Sequence, residues 1–167
     1  MVEIREATEN DVDQWRSLRR DGMVRYPHAF MLSLAEHEAS NDKDDVSRLK
    51  SGGKFLAMHE GKPVGMIGLN PYTLPSMRHR AEIGPLYVVP DFQGTSLARD
   101  LMRAAIAYAT RAGQWQLELT VNEANTRAVT FYLREGFTQY GRLPNAVIGE
   151  NGPENDLMLL RILPHPS

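Results

Sequence analysis

The chain has no cysteine, which excludes disulfides, thiolate metal sites and cysteine nucleophiles. Its histidines, His28, His37, His59, His79 and His165, form no His-x-x-x-His or Glu-linked pair, so no metal is expected. Neither sign of charge dominates. The 19 Lys and Arg against 21 Asp and Glu leave a formal net charge of −2, which argues for neither nucleic acid nor an anionic membrane as a partner. Long apolar runs are missing too. The longest, Leu157 to Leu163, is interrupted by Arg161 and cannot span a bilayer. Met1-Val2-Glu3-Ile4-Arg5-Glu6 lacks the apolar centre of a signal peptide, and the expectation is a cytoplasmic protein. Gly53-Lys54-Phe55 and Gly61-Lys62-Pro63 do not continue as an NTPase phosphate loop, and Asn41 to Asp45 lacks the Gly and distal Glu of a calcium loop. That charged run reads as solvated surface. No internal repeat or low-complexity segment is present.

What remains is an ordinary globular composition, 42% hydrophobic and 24% charged over 167 residues, which suits one domain spanning 1–167. Val2 to Arg5 alternates as a strand. Thr8, with Asp11 three residues on, predicts a capped helix running to about Arg20 or Met23, with Arg16, Arg19 and Arg20 on a solvated face. A second helical region, Leu34 to Leu49, breaks near the charged run. Lys54 to Glu60 and Pro63 to Leu69 flank Glu60-Gly61-Lys62 as a β-hairpin. Asn70 to His79, with Pro71 and Pro75, is too rich in breakers for regular structure. Glu82 to Val89 reads as a strand in which Pro85 removes a ladder donor, and a bulge or a missing neighbour is expected there.

The chain is organised around Leu86-Tyr87-Val88-Val89-Pro90-Asp91-Phe92-Gln93-Gly94-Thr95-Ser96-Leu97-Ala98. It reads as a buried strand, a polar turn and the start of a long helix, in which Leu97, Leu101, Ala105 and Ala98, Met102, Ile106 recur every four residues. Gln93-Gly94-Thr95-Ser96 then presents unpaired backbone N–H groups at the positive end of the helix dipole, an anion site suited to phosphate. Gly113 ends the helix. Gln116 to Val121 is the next strand, so a strand, a helix and a strand follow one another and imply a parallel pair. Further on, Asn125-Thr126-Arg127-Ala128-Val129-Thr130-Phe131-Tyr132 is a helix capped by Asn125, with Ala128, Phe131 and Tyr132 on one face. Gly136 closes it in the left-handed conformation and Phe137 returns to the core.

Both motifs, in this order and spacing, resemble those of the GNAT acetyltransferases. In the first, Gln93, Leu97 and Ala98 match and Gly94 fits the common Gln/Arg-Gly start, while Ser96 stands where the family has its central Gly. The second resembles the family's Asn-x-x-Ala-x-x-Phe-Tyr followed by Gly-Phe, and a closing Leu143 to Gly152 loop and Leu157 to Leu163 strand resemble its C-terminal segment. The resemblance implies an α/β (α+β) fold, a mixed and mostly antiparallel sheet flanked by helices, with acetyl-CoA as cosubstrate in a cleft beside the parallel pair. It implies that the loop amides of Gln93, Gly94, Thr95, Ser96, Leu97 and Ala98 hold the CoA diphosphate. A bulged backbone N–H in Leu86, Tyr87 and Val88 would face the acetyl carbonyl, and Asn125, Ala128 and Tyr132 would line the pantetheine side.

The reaction so implied is acetyl transfer from acetyl-CoA to a primary amine of a small molecule, by direct attack in a ternary complex. A base must take a proton from the ammonium. Glu82 is the candidate, although a strand-end carboxylate is also ordinary surface. Tyr132 is the candidate acid for the departing thiolate, and equally a core aromatic. Gln93 reads as a turn residue or a ligand contact, and Asn125 as a cap that is free to do both. The acceptor pocket falls to Tyr26 to Phe30, Asn70 to His79 and Asn145 to Asn155. The other readings are a non-catalytic acyl-CoA sensor and a partner-binding domain that has lost CoA, both motivated by Ser96 and Pro85, and a protein or peptide N-acetyltransferase. The assembly is expected to be a monomer or homodimer.

Overall fold

A seven-stranded sheet in the order β1-β2-β3-β4-β5-β7-β6 forms the frame of this computed structural model, which describes residues 1–166. Its strands are β1 (Val2–Glu6), β2 (Lys54–His59), β3 (Lys62–Pro71), β4 (Arg80–Val88), β5 (Gln116–Asn122), β6 (Thr138–Gly149) and β7 (Gly152–Ile162). All neighbours are antiparallel except β4 and β5. The helices are α1 (Val12–Arg25), α2 (Leu34–Ala39), α3 (Lys43–Lys50), α4 (Leu97–Arg111) and α5 (Thr126–Arg134). The mixed, mostly antiparallel α/β architecture is the expected one.

Alternation along the strands divides the core in two. Ala81, Ile83, Leu117, Leu119 and Leu159 face α4, whose Leu101, Met102 and Ala105 are fully enclosed against them. On the opposite face Leu56, Met66 and Tyr87 pack against Trp15 and Leu18 of α1. Burying one such aliphatic side chain stabilises by about 1.5–3 kcal/mol.

Five local expectations are corrected. Thr8 and Asp11 do form a reciprocal capping box, but α1 continues to Arg25, where Pro27 bars a further turn. Arg16 and Arg19 are not solvated: three residues apart on one helix face, both reach Asp45 of α3, with Arg19 donating two hydrogen bonds at 2.7 and 2.9 Å. Asp45 therefore leaves the solvated run, its side chain only 3% exposed, while Asn41 to Asp44 stay outside. Arg20 does remain exposed, paired with Glu38. Asn70 and Pro71 extend β3 instead of starting a loop. Leu143 to Gly149 is strand as well, because a register shift between Leu143 and Val147 absorbs Pro144 and the left-handed Asn145.

The bulge expected from Pro85 is present. Between the pairs Ile67↔Leu86 and Leu69↔Ile83, β4 carries two residues, Gly84 and Pro85, opposite the single Gly68. A side chain at Gly68 would collide with the Gly84 carbonyl. Asn70 Nδ2 donates to that carbonyl at 2.9 Å and holds the bulge in place.

Candidate active site

β4 and β5 are joined only through Arg80↔Gln116, Ala81↔Leu117 and Glu82↔Glu118. Beyond Glu82 they part, and a cleft of about 760 Å³ opens at their carboxyl ends, where ligands bind in open α/β sheets. The Val89 N–H donates to Val64 O on the β3 side. Alternation then turns the peptide groups of Leu86 and Val88 to the open side, and the Val88 carbonyl accepts there from Gln93 Nε2 at 2.9 Å. Two backbone N–H groups, of Leu86 and Val88, thus face the gap that β5 has vacated.

The turn after β4 closes one end of the cleft. Gly94 holds φ +78°, a left-handed value that favours glycine, and it sets Thr95 and Ser96 at the amino end of α4. Thr95 Oγ1 accepts from the Leu97 N–H at 3.3 Å. The other first-turn amides point outward with the helix dipole behind them. Ser96 keeps its hydroxyl on Asp100 Oδ2 at 2.7 Å, so its one donor is already engaged. The opposite wall is α5. Asn125 caps it, accepting from Ala128 N at 3.3 Å, and Ala128, Phe131 and Tyr132 face the cleft. Tyr132 stands edge-on to Phe131 and Phe137, with centroids 5.4 and 5.7 Å away. Burial raises its phenol pKa and keeps it protonated at neutral pH.

Of the residues singled out from sequence, Leu86, Tyr87, Val88, Gln93, Gly94, Thr95, Ser96, Ala98, Asn125, Ala128 and Tyr132 all line this one cavity. Two do not. Leu97 turns its side chain into the core, and Tyr87 contributes mainly backbone, its ring packing edge-on to Phe30 and its hydroxyl donating to Asp21. Glu82 is the second outside the lining. It sits on the α1 face of the sheet at the point of strand divergence, and burial together with the charge of Glu118 raises its pKa. Glu118 itself is held by two hydrogen bonds from Arg80, so Glu82 has no cation of its own there.

Gln93 is not turn surface: besides Val88 O it meets the Tyr26 hydroxyl at 3.3 Å and accepts from Arg127 Nη1 at 2.7 Å. Arg127 and Arg99, which carry no motif role in the sequence, also line the cleft. Arg127 lies inside the second motif and Arg99 one residue after the first, and that proximity was the only signal. No cluster of His, Asp and Glu suited to a metal occurs among the described residues, and no described helix is long and apolar enough to cross a membrane.

Residues 12–137 match the family model of the acetyltransferase (GNAT) family. An uncharacterized N-acetyltransferase of Methanocaldococcus jannaschii is 36% identical over 89 residues, 52% of this chain and 39% of that one. A mycothiol acetyltransferase of Thermobispora bispora is 44% identical over 138 residues, 78% of this chain and 44% of its own. The chain thus spans less than half the length of either relative. Among solved structures, YncA, a putative acetyltransferase from Salmonella typhimurium with its cofactor acetyl-CoA, superposes with a TM-score of 0.85 at 16% identity, covering 100% of this chain and 96% of that one. That likeness carries the fold, and the family match spans both motifs that build the cleft: the chain belongs to the GNAT acetyltransferase family.

Proposed function

We propose that the protein transfers the acetyl group of acetyl-CoA to a primary amine of a small molecule, by direct attack within a ternary complex. The observation that carries this reading is the parting of β4 from β5 after Glu82, with Leu86 and Val88 N–H groups on one side of the gap and Tyr132 on the other. The donor set fits the cosubstrate. First-turn amides and the α4 dipole suit a diphosphate, Arg99 and Arg127 add positive charge, and an apolar channel from Leu86 to Ala128 suits an extended pantetheine chain.

The chemistry follows from these positions. An ammonium has no free lone pair, and Glu82, its pKa raised, takes one proton through water and passes it to solvent. The amine nitrogen attacks the thioester carbon; a C–N bond forms and the oxygen becomes an oxyanion facing the Leu86 or Val88 N–H. As the C–S bond breaks, Tyr132 gives its proton to the thiolate. The second amine proton returns to Tyr132 by way of solvent, so that one proton is released per acetyl group moved.

The deciding experiment is release of free CoA thiol from acetyl-CoA across a panel of amines, amino acids and peptides. Turnover on small amines is the expected result. Binding of acetyl-CoA with no turnover on any of them, or turnover on peptides alone, overturns the reading.

A further inference from the structure

Asp156, on β7, is a buried carboxylate without a partner. It is 7% exposed, and no hydrogen bond or ion pair satisfies it among the described residues. Burial, with Glu154 nearby, raises its pKa. A buried carboxylate with no cation is costly to keep. Its oxygens are not sealed in, since the enclosed side-chain atom lacking a partner among the described residues is Gln114 Oε1. The carboxylate therefore keeps some contact with solvent.

The sheet register locates it. Asp156 pairs with Asn122, Met158 with Thr120 and Leu160 with Glu118, without interruption. Leu119 and Leu159 between them face α4, so Asp156 shares the opposite face with Glu118, Thr120 and Asn122, the face of Glu82. Counting along the parallel strands from Glu82↔Glu118, and allowing for the extra residue of the bulge, Leu86 and Tyr87 come level with Asn122. Asp156 is one strand further, about 5 Å from Asn122 in Cα position. It stands at the depth of the free Leu86 and Val88 N–H groups, on the face of Glu82 and next to the Asn145 to Asn155 segment expected to border the acceptor pocket. The cations nearby are committed: Arg80 to Glu118 and Arg142 to Glu123. Asn122 donates to Glu154 at 2.7 Å, which leaves Asp156 and Glu82 as the two carboxylates of this face with no side-chain partner among the described residues.

We propose that Asp156 binds a cationic group of the acceptor, and that the acceptor class is a small molecule with a second ammonium beside the reacting amine and no carboxylate near it. The proposal rests on the amine-acetyltransferase reading for its setting, but the binding it asserts is separately measurable. A carboxylate on the acceptor would meet the like charges of Asp156 and Glu82, with Arg80 and Arg142 already paired, whereas a second ammonium gives the buried charge its missing partner.

The test compares 1,4-diaminobutane, n-butylamine and 4-aminobutanoate on the wild type, Asp156→Asn and Asp156→Glu, by calorimetric binding in the presence of CoA and by CoA thiol release from acetyl-CoA. Wild type is expected to bind the diamine at least ten-fold more tightly than the monoamine, with the amino acid weakest. Asp156→Asn should abolish that preference with acetyl-CoA affinity unchanged, and Asp156→Glu should restore part of it. The ligand-free Asp156→Asn protein should melt at a higher temperature than wild type, the opposite of what a structural carboxylate would give. Diamine binding that depends on Asp156 without turnover on any amine would sustain the proposal and remove the transferase reading. Equal affinity for diamine and monoamine, or a preference that survives in Asp156→Asn, overturns it. So does a loss confined to kcat with the acidic limb of the pH profile removed, which would make Asp156 the base.

Discussion

Arg127 Nη1 donates to Gln93 Oε1 at 2.7 Å, tying α5 to the turn after β4 across the mouth of the cleft. Gln93 is held from its other end by Val88 O and Tyr26, so the arginine is the member of this set free to turn toward an incoming phosphate. Arg127→Ala should weaken acetyl-CoA binding by about 1.5–3 kcal/mol, the range for a hydrogen bond to a charged group, measured by calorimetry. Unaltered affinity would leave Arg127 as a tie between two elements and nothing more.

The Ser96 hydroxyl donates to Asp100 and is not offered to a phosphate at the position where the family has its glycine. With the donor engaged, Ser96→Gly should bind CoA as well as wild type or better. Asp100→Asn removes a negative charge from the first turn of a helix offered to phosphate and should tighten binding by about 0.3–1 kcal/mol. Weaker binding in Ser96→Gly would mean that the hydroxyl leaves Asp100 for the ligand.

Tyr132→Phe keeps the ring against Phe131 and Phe137 and removes its only dissociable proton. Acetyl-CoA affinity should survive, and kcat should fall by about 10² to 10⁴, the scale of a positioned acid. The loss should shrink at lower pH, where solvent protonates the thiolate more readily. An unchanged kcat under conditions where chemistry limits turnover returns Tyr132 to a packing role.

Glu82 must be ionised to accept a proton. Because burial and Glu118 raise its pKa, the acidic limb of kcat/KM should lie above the ordinary glutamate value of about 4.3. Glu82→Gln should remove that limb along with most of the activity. A limb that persists in the variant assigns the base elsewhere.

Asp45 answers two guanidinium groups from α1. Burial alone would raise its pKa, but Arg19 and Arg16 outweigh burial and hold it below the usual carboxylate range. With its folded pKa depressed, its contribution is present above the unfolded value of about 3.9 and is lost as pH falls through the folded one. Asp45→Asn should cost about 3–5 kcal/mol at neutral pH, since Arg19 would stay buried without a counter-charge. Urea denaturation of the two proteins at neutral pH and in acid measures both.

The cleft was readable in the sequence because its parts are local. The strand, turn and helix around Gln93 and Gly94, and the cap at Asn125, depend on contiguous residues and appeared as expected. What escaped was set by the partners of distant residues. Nothing near Arg16 or Arg19 announces Asp45, which arrives only when α3 docks on α1. Asp156 looks like an ordinary polar residue in a run of leucines until its pairing with Asn122 gives it a face. Leu143 to Gly149 fell to the opposite error: proline and asparagine suggested a loop, and a bulge kept the strand.

Gly68 is not among the residues that line the cleft, yet its bare backbone lets the Gly84 carbonyl settle against β3, and that settling aims the amides of Leu86 and Val88, two and four residues further on. An alanine there would push β4 aside and misdirect the Leu86 and Val88 N–H groups. In an assay it would look like a damaged oxyanion site in a protein whose every site residue is intact. The aim of this cleft is thus inherited from a neighbouring strand, and mutational surveys confined to the residues that line it would pass over the position that sets it.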